Sequence, residues 1–333
     1  MLIVCAVQKK ESLDPNLSTA IDSIVSEHSQ IDPSFKTQRC YVRLTSRYIL
    51  KELLLYKGYD LHSFCNKTVH NVLNRLGYTL KKVLKTKPVH KVPETDAIFA
   101  NVARQHTLAH ANPRILRISI DTKAKVKIGN LSRGGYSRLK KAPKANDHDH
   151  KSDATLVPFG IYELNTDNIF LIFGQSHETA DFILDALEQW WIERQFMQDD
   201  YDVLMIDLDN GTSVASSTKQ FMKRITAFAK KINMPIQLVY YPPYHSKYNA
   251  IERVWAALEN YWKPLILDTI DNALKIAAKM TWKGMNPIVS FIDKIYQTGI
   301  KLSDEEFEEI SPFIQKNPNL KKWDVKILNK IDG

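Results

Sequence analysis

With 333 residues, 44% hydrophobic and 25% charged, the chain has the composition of an ordinary globular protein, long enough for a sizeable core and more than one domain. No apolar run approaches the roughly 18 residues of a membrane span, and Leu2–Val7 is too short for a signal segment, so a membrane or exported protein is not expected. Three cysteines (Cys5, Cys40, Cys65), odd in number and widely spaced with no CxxC pair, argue against a disulfide framework or a zinc site and imply a reducing cytoplasm. The net charge of +9 is unevenly spread: between Ser34 and Pro93 there are 13 Lys/Arg against 2 Asp/Glu, and the remainder is slightly acidic. A basic block beside a near-neutral body implies a nucleic-acid-binding module on a separate domain, and a nucleoid-associated location.

Residues 1–33 are weakly patterned apart from a short helical stretch at Ala20–Val25. From Leu44 the pattern firms: Ser46 is the expected cap of a helix with Ile49, Leu50, Leu53 and Leu54 on one face. A second helix is expected over Asn66–Leu76, with Val69, Val72, Leu73 and Leu76 inward and Gly77 as its stop. Its outward residues are Lys67, His70, Asn71, Asn74 and Arg75, which donate to phosphates or read base edges, so this helix is a candidate for the major groove. Lys81 and Lys82 lie in the wing-like basic tail that follows, and Pro88 and Pro93 mark a linker. Residues 34–93 thus read as a helix-turn-helix or winged-helix domain, and 94–113 as a linker helix with Ile98, Phe99, Val102 and Leu108 on its apolar side.

Arg114–Ile120 alternates apolar and polar like a strand and delivers Asp121 at its end, with Thr122–Gly129 as the expected hairpin partner. Lys123–Lys151 is a basic loop carrying Lys123 and Arg133, suited to a DNA backbone. Its Asp147-His148-Asp149-His150 run alternates ligand types on an unstructured stretch, a pattern that rarely closes a metal site. Ala154–Ile161 and Ile169–Phe173 are further strands, and His177–Arg194 is a helix. Val203–Ile206 is a buried strand running into Asp207-Leu208-Asp209, followed by a helix over Ser217–Ile232. After the apolar run Leu238–Tyr241, Pro242-Pro243 breaks any ladder, and Ile251, Val254, Trp255, Leu258 and Trp262 recur at helical spacing. Leu274–Met280 and Ile288–Tyr296 read as helical and Trp323–Ile327 as strand-like, giving residues 265–333 the look of a helical extension of a 114–264 core.

Taken alone, Glu252 is a solvated helix-face glutamate and Asp121 a turn former. Three strings change that. Tyr-Pro-Pro-Tyr-His-Ser-Lys-Tyr-Asn-Ala-Ile-Glu-Arg-Val-Trp (241–255), Ile-Asp-Thr-Lys-Ala-Lys-Val-Lys-Ile-Gly-Asn-Leu-Ser-Arg-Gly-Gly (120–135) and Asp-Leu-Asp-Asn-Gly (207–211) resemble the motifs of DDE transposases from bacterial insertion sequences. The resemblance is closest to the Rhodopirellula-type transposase DDE domain, with mariner-type enzymes more distant, and it runs from about Ile31 to the C-terminus. It implies an RNase H-like α/β fold, a mixed sheet flanked by helices, behind a small helical DNA-binding domain. It implies also that Asp121, Asp209 and Glu252 are the catalytic, metal-binding carboxylates, while Asp207 and Glu259 point elsewhere. Where the family has Pro-Glu after Asp-Asn-Gly, this chain has Thr212-Ser213, which alters the second motif.

Three carboxylates held together repel one another unless cations neutralise them, and hard divalent ions, Mg²⁺ or Mn²⁺, match oxygen ligands. Two such ions activate a nucleophile and stabilise a leaving oxygen at phosphorus. His245 and Lys247, just ahead of Glu252, are candidates to hold the phosphate. The expectation is therefore a transposase that binds double-stranded DNA ends and target as a homo-oligomer and cuts and rejoins strands. Its alternatives are an inactive or co-opted DNA-binding remnant and an RNase H-like nuclease.

Overall fold

A computed structural model of the chain describes residues 14–28, 30–31, 40–41, 44–60, 65–80, 92–147, 150–194 and 201–331, in two compact units, Met1–Lys87 and Pro88–Gly333. Lys81 and Lys82, and His148 and Asp149 of the histidine-aspartate run, lie outside the described residues.

The first unit holds α1 (Asn16–Glu27), a short antiparallel pair β1 (Gln30–Ile31) and β2 (Cys40–Tyr41), then α2 (Ser46–Tyr56) and α3 (Asn66–Arg75). Leu17, Ile21, Ile24 and Val25 of α1 are buried in one cluster with Ile49, Leu53, Val69, Val72 and Leu73. The N-terminal segment is thus part of this domain's core, and the boundary expected at residue 34 is misplaced. The cap of α2 is Thr45, whose hydroxyl accepts from the Tyr48 amide at 3.2 Å, and Ser46 is the first helical residue. α3 ends in a Schellman turn: Tyr78 N–H donates to Leu73 O and Gly77 N–H to Asn74 O, with Gly77 at φ +90. That left-handed position is why glycine sits there. The turn ends the helix before Leu76, which is exposed rather than inward.

The second unit begins with α4 (Thr95–Ala111), followed by β3 (Ile115–Thr122), β4 (Val126–Ile128), β5 (Ala154–Glu163), β6 (Ile169–Gly174), α5 (Ala180–Glu193), β7 (Val203–Leu208), α6 (Lys219–Lys231) and β8 (Ile236–Tyr240). Then come α7 (Ile251–Trp262), α8 (Ile270–Ala277), β9 (Ile288–Ile292), α9 (Asp304–Glu308), β10 (Ile314–Lys316) and β11 (Asp324–Ile327). The strands form one mixed sheet in the order β10-β11-β8-β7-β3-β5-β6-β9, with β4 beside β5. β3, β7 and β8 run parallel, and β5 is antiparallel to β3 and to β6. This is the RNase H-like α/β fold. Alternation along β6 serves both layers: Phe170 and Ile172 join α5 and α6 on one face, while Ile169, Leu171 and Phe173 join α7 and α8 on the other.

The second unit corrects four further expectations. The expected linker helix, α4, packs on β3 and β8 within the second unit, and Leu108 faces solvent. Thr122–Gly129 does not pair with β3; Lys123–Lys125 carries the chain onto the same long strand β5, which pairs with both β3 and β4. Ile288–Ile292 is a strand parallel to β6, not a helix. Short apolar runs fit either element, and here a β-branched run after Pro287 covers an open sheet edge. The 265–333 segment is accordingly no helical extension, since it supplies β9, β10 and β11 to the sheet.

Candidate active site

Strand β3 carries the centre of the site. Arg117, Ser119 and Asp121 fall on one face by the two-residue period of a strand, and α4 and α7 both meet that face. Asp121 pairs across the ladder with Gly160 of β5. A Cβ on Gly160 would lie 2.7 Å from the Trp255 ring, so the glycine leaves the space in which that ring sits. Trp255 Nε1 then donates to Asp121 Oδ2 at 3.1 Å. Asp209 follows the last residue of β7, and Glu252 lies in the first turn of α7. The α7 stripe read from the sequence is intact: Ile251, Val254, Trp255, Leu258 and Trp262 are all buried, which leaves Glu252 on the side facing the strand ends.

The three carboxylates sense one another. Burial, then the charges of Asp209 and Glu252, push the Asp121 carboxyl up to about 8 from its ordinary 3.8. Burial, then the charge of Glu252, pushes Asp209 up to about 6. Asp209 Oδ1 and Asn210 Oδ1 are buried without a hydrogen-bond partner. Among the described residues no three Asp, Glu, His or Cys side chains stand in ready-made liganding geometry. In type, however, the donors suit a hard cation: buried acidic oxygens, one of them orphaned, whose mutual repulsion a divalent ion would relieve.

A raised carboxyl binds more protons in the folded chain than in the unfolded one between its two pKa values, so its contribution to stability is lost as pH rises through the folded value. Without divalent ions, wild type is therefore expected to lose stability relative to Asp121→Asn as pH rises from about 4 to about 8. Added Mg²⁺ should restore more of it at pH 8 than at pH 6, because a ligand bound only by the native state stabilises it. Melting curves of both chains across this range, with and without Mg²⁺, check the sign. A difference that stayed flat with pH would show that Asp121 is not strained by its neighbours.

Asp207 and Glu259 lie elsewhere. Asp207 has no exposed surface and is held by Arg117 at 2.6 and 2.9 Å and by His106 of α4 at 3.1 Å. Glu259 accepts from Arg133 at 3.1 Å and pairs with Lys123 at the same distance. Burial would raise its carboxyl, but the bond from Lys123 and the charges of Arg133 and Lys123 hold it below the usual range. Lys123 and Arg133, read as DNA contacts, are thus committed to an internal carboxylate and largely buried, with Arg133 also over the Trp262 ring. His245 packs against Phe99 and Tyr248, with Nδ1 at 2.7 Å from Pro243 O, and Lys247 is exposed over the Tyr248 ring. In the first unit Lys67, His70, Asn71, Asn74 and Arg75 are all exposed on α3.

Residues 20–329 match the family described as the Rhodopirellula transposase DDE domain. The chain belongs to that family. Solved structures similar to it include a Mos1 transposase paired-end complex with the left transposon end (11% identity, TM-score 0.43, covering 78% of this chain and 68% of that one). Another is the Mos1 mariner paired-end complex with Mn (11% identity, TM-score 0.41, 78% and 69%). A third is the HTLV-2 integrase catalytic core domain in complex with magnesium (13% identity, TM-score 0.29, 52% and 92%). No curated protein matches the chain.

In this DDE transposase domain the turn after Asp209 is held by side-chain bonds. Ser213 Oγ donates to Glu178 O at 3.0 Å, Thr218 Oγ1 to Thr212 O at 2.7 Å, and the buried Tyr240 hydroxyl to Val214 O at 2.7 Å. These bonds tie residues 212–214 to the loop before α5, to the N-cap of α6 and to β8. Sequence reasoning took Trp255 for core packing alone; its place three residues after Glu252, one turn on and beside the same strand, was the available signal. Arg117 reads in the sequence as the polar half of an alternating strand, and its parity with Asp121 puts it on the same face of β3. No helix among the described residues is long and apolar enough to cross a membrane.

Proposed function

We propose that this chain is a transposase that binds the ends of its DNA element and catalyses divalent-metal-dependent strand cleavage and strand transfer. What supports the reading is that Asp121 at the end of β3, Asp209 just past β7 and Glu252 in the first turn of α7 bear on one another, burial and then their like charges raising the Asp121 and Asp209 carboxyls. Those three residues would hold two Mg²⁺ or Mn²⁺ ions, which when bound supply Lewis-acid stabilisation and nucleophile activation for in-line attack on phosphorus. The chain's own part is orientation. Trp255 fixes the Asp121 carboxylate, and the Arg117–Asp207–His106 cluster anchors the end of β7 from which Asp209 projects. In this reading Lys247, exposed just before α7, and His245 beside it meet the DNA backbone near Glu252. The exposed face of α3 reads duplex DNA, and a homo-oligomer brings two ends together.

Incubation of the purified chain with duplexes from the element's own termini, with and without Mg²⁺ or Mn²⁺, tests this. Metal-dependent nicking at the element boundary is expected. Retention of DNA, steeply weakened by salt, without nicking under either metal would move the reading to a DNA-binding remnant. Nicking of any branched duplex with no joined product would move it to a nuclease.

Glu259 gives a further expectation. It lies two turns beyond Glu252 on α7, next to a cavity of about 560 Å³ lined by Lys125, Lys127 and Arg133. Glu259→Gln frees two cations from an internal acid, so non-specific DNA affinity should rise and its salt dependence steepen by up to about 2 in log–log slope. Fluorescence anisotropy across a salt series measures both, and an unchanged slope would mean that neither cation reaches DNA.

A further inference from the structure

Two fully buried polar side chains join the strand of Asp121 to the helix of Glu252. Ser119 and Asn249 have no exposed surface. The Ser119 hydroxyl donates to Asn249 Oδ1 at 2.5 Å and accepts from the Ile251 amide at 2.9 Å. Asn249 Nδ2 donates in turn to the Ile120 carbonyl at 2.9 Å. Ile251 is the first residue of α7, and its N-cap, Ala250, offers no side-chain bond, so an amide left over by the helix is satisfied from the neighbouring strand. Ser119 stands two residues before Asp121 on the same face of β3, and Asn249 three residues before Glu252.

Further along α7, Trp255 donates to Asp121 and Glu259 pairs with Lys123 and Arg133; the rest of its hold is the apolar stripe, packed on β4, β5 and β6. Apolar contact is non-directional and fixes no register, so a helix held by it alone is free to shift along the sheet. Hydrogen bonds lengthened much beyond 3 Å are weakened, so three of them in a dry site hold the first turn of the helix, where Glu252 lies, at a fixed position against the strand of Asp121. That position decides how far the Glu252 carboxylate stands from Asp121.

We propose that Ser119 and Asn249 are positioning residues, a clasp that sets the spacing of Asp121 and Glu252 for a pair of divalent cations. The proposal rests on the functional reading above, and touches no reacting atom itself. A purely structural clasp would cost stability when cut and leave cation affinity unchanged, whereas a positioning clasp loses cation affinity in a chain that still folds.

The test is Mn²⁺ binding to the full chain, followed by the electron paramagnetic resonance of free Mn²⁺, beside metal-free melting temperatures. Ser119→Ala removes the hydroxyl from both bonds. Asn249→Asp keeps the side chain's size and the acceptor for Ser119 but loses the donor to Ile120; the added acid by itself would raise cation affinity, so a fall in affinity reports the lost bond. Thr95→Ala, which removes another buried hydroxyl, donating to Val92 O at 2.7 Å away from the carboxylates, is the control. Ser119→Ala and Asn249→Asp are expected to weaken Mn²⁺ binding by about tenfold or more, as loss of an outer-shell support does. Thr95→Ala is expected to lower the melting temperature with unchanged Mn²⁺ affinity. Wild-type Mn²⁺ affinity retained in a folded Ser119→Ala or Asn249→Asp chain overturns the clasp alone. Wild type that binds Mn²⁺ no better than Asp121→Asn overturns the functional reading and the clasp with it.

Discussion

Asp121→Asn is expected to lower Mg²⁺-dependent cleavage of element-end DNA by about a thousandfold or more, roughly 4 kcal/mol of transition-state stabilisation, with DNA affinity kept within about twofold. The asymmetry follows from where the two jobs reside. Recognition is assigned to the exposed face of α3 in the first unit, and Asp121 lies in the centre of the second, beside Gly160 and under the Trp255 ring. Asparagine keeps the size and an oxygen for the Trp255 N–H, so the site keeps its shape while losing a negative charge that a cation needs. Because that charge is held up by burial and by two like neighbours, its removal also relieves repulsion, and the variant should melt no lower than wild type without metal. Single-turnover cleavage at saturating DNA separates the chemical step from binding. If the variant lost DNA binding in parallel with cleavage, or cleaved at near the wild-type rate, Asp121 would not be a catalytic carboxylate.

Much of this site was legible because its parts are local. The stripe Ile251, Val254, Trp255, Leu258 and Trp262 needs only a 3.6-residue period to be read, and every member is buried. The strands leading to Asp121 and Asp209 and the break at Pro242-Pro243 are equally local signals. What was missed depends on partners distant in sequence. Lys123 and Arg133 look free in a basic loop until Glu259, more than a hundred residues away, comes to lie between them. Residues 288–292 carry apolar side chains at spacing that suits helix or strand, and the open edge of β6 decides which. In α1 the period was present at Leu17, Ile21, Ile24 and Val25, but nothing local says that α2 and α3 lie across it. Charge pairing and strand pairing are tertiary facts, and composition records neither.

Cutting the ion cluster beneath Asp209 should be the most destabilising single change. Asp207 is fully buried on β7, and Arg117 on the neighbouring strand β3 gives it two hydrogen bonds, with His106 supplying a third contact from α4. Arg117→Met removes the only permanent cation of the group and leaves a carboxylate in a dry sheet beside a histidine. Removing one partner of a buried pair costs about 3–5 kcal/mol, since the remaining charge keeps its desolvation penalty without compensation. Replacing both partners is a different matter, because well-packed apolar groups of similar volume carry no such penalty. The double change Arg117→Met with Asp207→Leu should therefore recover most of the loss, although each single change is harmful. Urea unfolding of the four chains gives the interaction energy directly, provided the slope with denaturant stays constant. Simple addition of the two losses would mean that Arg117 and Asp207 act independently. Recovery of stability with cleavage still impaired would locate the cluster's second role in holding the end of β7, and with it Asp209, at the distance that Asp121 and Glu252 require.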